Sequence, residues 1–200
     1  KNLNLDLREC LELAASQYPE NIISTGTSEL VLEYMIERFR AWYEEANIPA
    51  EIFKAVSARK LSRPLDIHRR VQAVHAFSLL PQAQALAAAN KRVSNILGKL
   101  DSAHSFGDVN ANLLVEPQEK ALAARLEELA TSCRTYLARD EYTEALTCLA
   151  GLREPVDAFF DDVMVNVEES LVRDNRLNLL KHLRDLFLEV ADISLLAVSK

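Results

Sequence analysis

The stretch LAAANKRVSNILGK, residues 86–99, decides how the chain folds. Leu86, Ala89, Val93 and Ile96, with Leu100 just beyond, recur at the three- and four-residue spacing of one helix face. Ala88, Arg92, Asn95 and Lys99 follow the neighbouring ridge, at the border of that face. A side chain of one methyl group lets a second helix approach closely, so the alanine run fixes the geometry of the cations beside it. The spacing predicts a helix with its apolar side in a packed core and a cationic edge at the rim.

Working outward, the same period recurs along the chain. Leu3, Leu7, Leu11 and Ala14 mark a first short helix that ends near Tyr18 and Pro19. Gly26, Thr27 and Ser28 offer a break and a cap before Leu30, Tyr34, Ile36, Phe39 and Tyr43. Pro49, Pro64, Pro81 and Pro117 each suit the opening of a further helix. The helix from Pro117 carries Leu122, Leu126, Leu129, Cys133 and Leu137 on one stripe, and Asp140 is placed to cap the next one. A short segment over residues 155–163 and a last helix with Leu177, Leu180, Leu183, Leu186 and Phe187 complete the series, with 192–196 a separate turn. Residues 101–112, DSAHSFGDVNAN, have no apolar period and read as a loop. With 4 glycines, 6 prolines and no strand alternation, the expected fold class is all-α, a helical bundle. Its division is a weakly defined N-terminal helix over 1–25 and one helical domain over 26–200, with a loop at about 101–116.

The net charge of −7 argues at first against a nucleic-acid partner, but the charge is unevenly spread. Residues 59–99 hold eight Lys or Arg (Arg59, Lys60, Arg63, Arg69, Arg70, Lys91, Arg92, Lys99) against Asp66, a balance of +7. From residue 106 onward 10 basic residues face 18 acidic ones, a balance of −8. Such asymmetry steers a polyanion to one face; the plainer alternative is a set of solvated helix faces of uneven composition. No apolar run approaches the roughly 20 residues of a membrane span, so no membrane partner is expected. The absence of an initial Met and of a signal pattern suggests a piece of a longer protein. Cys10, Cys133 and Cys148 are odd in number and lack ligand spacing, as expected for free thiols in a reducing compartment.

Arg92, Lys91 and Lys99 have the chemistry to pair with phosphates, and Asn95 to donate to a base edge or a ribose hydroxyl. Arg69 and Arg70 lie beside His68, with His75 two turns on; histidines seven apart do not chelate one ion as an i,i+4 pair does. Asp157 and Asp161 share a helix face, yet acidic groups near a helix start are accounted for by the dipole. No motif positions Ser, His and Asp as a nucleophile set. No catalytic residue and no metal site is therefore expected. Trp42 and Tyr43 are possible stacking groups, although a lone Trp in a leucine-rich helix is more often buried.

Two segments carry a specific resemblance: LPQAQALAAANKRVSNIL (80–97) and REPVDAFFDDVMVNVEESLVRDNRLNLLKHLRDLFLEVADISLL (153–196). Both resemble the C-terminal, anticodon-binding region of bacterial glycyl-tRNA synthetase beta subunits, a domain type related to that of arginyl-tRNA synthetases. FRAWY (39–43) and RPLDIHRRVQAV (63–74) agree more loosely, while the first 25 residues and the 101–116 loop add little.

The resemblance implies an all-helical anticodon-binding domain that contacts glycine tRNA and is itself non-catalytic. It implies a cytoplasmic glycine–tRNA ligase whose separate alpha subunit uses ATP to form glycyl-adenylate, in an alpha2-beta2 tetramer, with no cofactor held by this part. Carried over by position, Lys91, Arg92 and Asn95 are the leading tRNA contacts and Asn175 and Arg176 come next. Lys99, Arg69 and Arg70 join them from the basic block, whereas Phe159, Phe160, Leu183 and Phe187 match motif positions that read as core. Two other classes stay open: a helical protein-interaction domain whose basic block docks an acidic subunit, and the anticodon-binding domain of a different synthetase, such as that for arginine.

Overall fold

A computed structural model of the chain describes residues 3–19, 22–101 and 104–197. The parts of the sequence-expected N-terminal region and loop that fall on residues 1, 2, 20, 21, 102 and 103 lie outside the described residues, as do 198–200. Among the described residues the architecture is helical throughout, in agreement with the all-α expectation. The helices are α1 (Leu7–Ala15), α2 (Thr27–Glu45), α3 (Ala50–Ser57), α4 (Pro64–Ser78), α5 (Ala83–Leu97), α6 (Pro117–Leu137), α7 (Tyr142–Leu149), α8 (Arg153–Asp162) and α9 (Ser170–Leu188). Single 3-10 turns at Ala111–Leu113, Ala150–Leu152 and Ile193–Leu196 join or follow them.

Local chemistry sets several of the helix starts. Asp6 caps α1 by accepting from the Arg8 and Glu9 amides. Pro64 and Pro117 occupy first-turn positions in α4 and α6, where a missing N–H costs nothing. At the start of α6, Glu116 and Glu119 form a reciprocal capping box. Other starts differ from the sequence reading: Pro49 is the N-cap of α3 rather than a first-turn residue, and Pro81 lies two residues before α5. Gly26, at φ +87°, is itself the N-cap of α2, a backbone setting that glycine adopts without steric cost, and Thr27 already lies within the helix. Asp140 does not cap α7: it holds φ +57°, Glu141 takes the cap position, and the Asp140 carboxylate accepts from the Tyr142 hydroxyl at 3.2 Å.

Helix α5 is the central element. It packs against α9, α8, α4 and the Ile193–Leu196 turn. Ala83, Leu86, Ala87, Ala89 and Val93 are buried, and Ala87 and Val93 are fully so. The contact face is rotated slightly from the sequence expectation: Ile96 and Leu100 are half-buried, and Asn90 is buried. The Asn90 side-chain amide donates to the Leu86 carbonyl at 3.0 Å, which gives one of its donors a partner inside its own helix. The rest of the core comes from the expected stripes of α6 and α9, together with Phe53, Phe77, Phe159 and Phe187.

Candidate nucleic-acid interface

The basic block of residues 59–99 does not form one continuous face. Arg63 pairs with Asp6 at 3.2 Å. Arg69 pairs with Asp140 at 2.6 Å, so an acidic residue from the second half of the chain neutralises it at the surface. Arg70 is committed most deeply. Its Nε donates to the Asp66 carboxylate at 3.0 and 3.1 Å, and Nη2 donates to the Tyr142 hydroxyl at 3.0 Å. Nη1 donates to the backbone carbonyls of Glu189 and Val190, and the guanidinium lies 4.1 Å from the centre of the Tyr142 ring. Five donors of a planar fork, nearly all engaged, make Arg70 a clamp between α4, α7 and the end of α9. The Tyr142 hydroxyl donates to Asp66, and burial together with that acceptor raises its pKa above the usual phenol value.

The expected contacts in α9 are corrected more sharply. Asn175 and Arg176 are 2% and 4% exposed and face inward. Asn175 exchanges two hydrogen bonds with the backbone of Asn110: the Asn110 amide donates to Oδ1 at 2.7 Å, and Nδ2 donates to the carbonyl at 3.0 Å. Asn178, nearly one turn on, repeats the pattern with the Gly107 amide at 3.1 Å and the Asp108 carbonyl at 3.4 Å. The pair thus staples the loop after α5 onto α9. Arg176 forms an ion pair with Glu119, and its Nη1 donates to the Met164 carbonyl at 2.6 Å. These side chains are spent on the fold, because a buried charge is stable only when fully partnered.

What remains is the edge of α5. Arg92 and Asn95 are exposed along one side of the helix, and exposed Lys99 follows in the turn just past its end at Leu97. Lys91 is half-buried beside them. Arg92 has its guanidinium carbon over the Phe160 ring, 4.3 Å from the centroid, which joins α5 to α8 at the surface. Phe160 is half-buried, so its expected core position is only partly correct. Sequence spacing gave no signal that it would meet Arg92, which is 68 positions away.

Other candidates resolve simply. Trp42 is 70% exposed and stacks on Phe39 at 5.9 Å, against the expectation of burial, while Tyr43 is buried with its hydroxyl 3.3 Å from His68 Nδ1. The two rings help line a small apolar recess of about 270 Å³ between α2 and α4. A larger groove of about 1100 Å³ lies between the 106–114 loop, α6 and α9. Lys120, Arg134 and Lys181 are offset there by Asp108, Glu127 and Asp185, so it lacks the positive balance a polyanion needs. Asp157 pairs with Arg153 at 3.5 Å, and Asp162 accepts from Gln118 at 2.8 Å. Among the described residues no group of three His, Cys, Asp or Glu side chains is arranged to hold a metal ion.

The exposed edge falls inside a segment that known proteins share. Residues 86–194, more than half of the chain, match the model of the DALR anticodon binding domain. The chain is 48% identical over 98% of its length to the glycine–tRNA ligase beta subunit of Actinobacillus pleuropneumoniae. The corresponding subunits of Marinobacter nauticus and Chromohalobacter salexigens are 51% and 53% identical over 98% and 96% of the chain. In each case the chain spans 28% of the relative's own length. With the α5 edge at its start and the stapled α9 near its end, the matched segment runs through most of the core, and the chain belongs to the DALR anticodon binding domain family.

Proposed function

We propose that this chain is the tRNA-recognition domain of a glycine–tRNA ligase beta subunit and that it binds the anticodon region of glycine tRNA. The observation that carries the reading is the exposed edge formed by Arg92 and Asn95 of α5 and by Lys99 in the turn after it, inside the family-matched segment. Arg and Lys neutralise phosphates, and the Asn amide reads a base edge or a ribose hydroxyl in the unpaired loop. The identity to glycine–tRNA ligase beta subunits over nearly the whole chain supports glycine tRNA as the substrate. The domain holds the tRNA while ATP-dependent glycylation takes place on a partner alpha subunit, in an alpha2-beta2 assembly in the cytoplasm. No cofactor is required by this part. The acidic remainder of the chain discourages indiscriminate RNA binding, because its field opposes polyanions everywhere except at the local edge.

A gel shift with purified tRNA species tests the reading. A shift of glycine tRNA at low salt, with arginine tRNA and other species unshifted, is the expected result. A shift of arginine tRNA in its place would reassign the synthetase, and no shift of any tRNA would overturn RNA recognition in favour of protein docking.

A further inference from the structure

Arg92 carries more than a charge. The ring beneath its guanidinium, Phe160, is set edge-on against Phe159, with centroids 5.5 Å apart and planes at 80°. Phe159 is fully buried, so the pair of rings is anchored in the core and Phe160 is the last layer below the surface. A free arginine side chain samples many rotamers, and lodging the guanidinium on a fixed ring removes part of that freedom before any ligand arrives. The guanidinium carbon is thus seated over the Phe160 ring, while the side chain as a whole stays exposed. Asn95 is nearly one helical turn further along the same edge and is exposed too.

We infer that the outer face of the Arg92 guanidinium is a stacking platform for one unpaired base of a bound RNA, with Phe160 as the positioning residue that holds the platform in place. The inference rests on the reading of α5 as the tRNA-binding edge and gives Arg92 a role distinct from phosphate pairing. Guanidinium planes stack on bases as aromatic rings do, and the contact tolerates any base because each has a π-face. Lysine keeps the charge but has no plane, so Arg92→Lys separates stacking from electrostatics.

The test uses the anticodon stem–loop of glycine tRNA, with 2-aminopurine placed singly at each unpaired position, and a matching set with an abasic residue there. With the unaltered chain, one position is expected to lose fluorescence on binding. Arg92→Lys is expected to bind the intact RNA on the order of tenfold more weakly and to abolish that quenching. Phe160→Leu moves both readouts in the same direction, Phe160→Tyr restores them, and all variants bind the RNA abasic at that position alike. Retained helicity and melting temperature in Arg92→Lys keep the comparison free of folding effects. If Arg92→Lys binds and quenches like the unaltered chain, the stacking role is overturned while tRNA binding by α5 stands. If the unaltered chain fails to bind the stem–loop at all, the underlying reading falls and the stacking role falls with it.

Discussion

Arg176 of α9 and Glu119 of α6 form an ion pair from which water is excluded, the two side chains being 5% and 0% exposed. Glu119 uses both carboxylate oxygens: Oε1 meets Arg176, while Oε2 accepts from the Val115 and Glu116 amides at 2.6 and 2.8 Å. One carboxylate thus ties α9 to the start of α6 and to the end of the loop before it.

Breaking this pair from one side leaves the other charge buried alone. Arg176→Met or Glu119→Ala is expected to destabilise the domain by about 3–5 kcal/mol. Replacing both residues together by apolar groups of similar volume costs less than the sum of the two single changes. Urea denaturation of the two single variants and the double variant measures the coupling; additive losses would mean that the pair does not act as a unit.

The staple formed by Asn175 and Asn178 holds residues 107–110 by four side-chain hydrogen bonds to backbone. Asn175→Ala strands buried polar groups and is expected to cost about 1–3 kcal/mol. Asn178→Ala, in a more exposed place, costs less. Both changes speed amide exchange and proteolysis at 107–110, while exchange in α5 and α6 stays slow. Equal acceleration throughout would show that the loop is part of the global folding unit.

At the α5 edge, Arg92→Ala and Lys99→Ala are expected to weaken tRNA binding and to leave the melting temperature nearly unchanged, since both side chains are exposed. Each lost phosphate contact reduces the slope of log affinity against log salt by about 0.7 to 0.9. Arg70→Ala gives the opposite pattern. It strips Asp66 of its cation, leaving only the Tyr142 hydroxyl on that carboxylate, and removes the donor to the 189 and 190 carbonyls, so stability falls first and binding only as a consequence. Thermal melts beside binding titrations over a range of salt separate the two outcomes.

Burial, reinforced by the neighbouring Cys148, pushes the Cys133 thiol up to about 12 from an ordinary value of 9.0. A raised folded-state pKa disfavours the thiolate in the folded chain, so this contribution to stability is complete below pH 9. It is lost as the pH rises from 9 towards 12, where the unfolded chain ionises first. Iodoacetamide at pH 8 is expected to label exposed Cys10 and to reach Cys133 only after denaturation. Comparable labelling of Cys133 in the folded chain would contradict its burial.

Periodicity along the chain foretold the long helices, because leucine and alanine at three- and four-residue spacing leave few alternatives in a chain of 4 glycines. By contrast, α8 reads only as a short segment and the Ala111–Leu113 turn as loop. Helix ends were harder. Asp140 has the chemistry of a cap, but Arg69 and Tyr142, neither adjacent in sequence, claim its carboxylate. The candidate interface was legible only where the side chains stay local. Arg92 and Asn95 share one helix and Lys99 follows in the turn that ends it, and the exposure of the helical pair follows from the apolar face opposite them. Arg70, Asn175 and Arg176 look equally suited to RNA by residue type. Their fate is settled by partners up to 120 positions away, which spacing does not encode. The meeting of Arg92 with Phe160 was hidden for the same reason.

The bonds that hold the 107–110 backbone to Asn175 and Asn178 run between uncharged amides. Added electrolyte has no net charge to screen there, and no proton enters or leaves over the physiological range. A polyanion on α5 is held by forces of the opposite kind, which fade as counterions accumulate. Rising ionic strength therefore frees such a ligand without disturbing the clasp, and the domain stays shaped for the next molecule it meets.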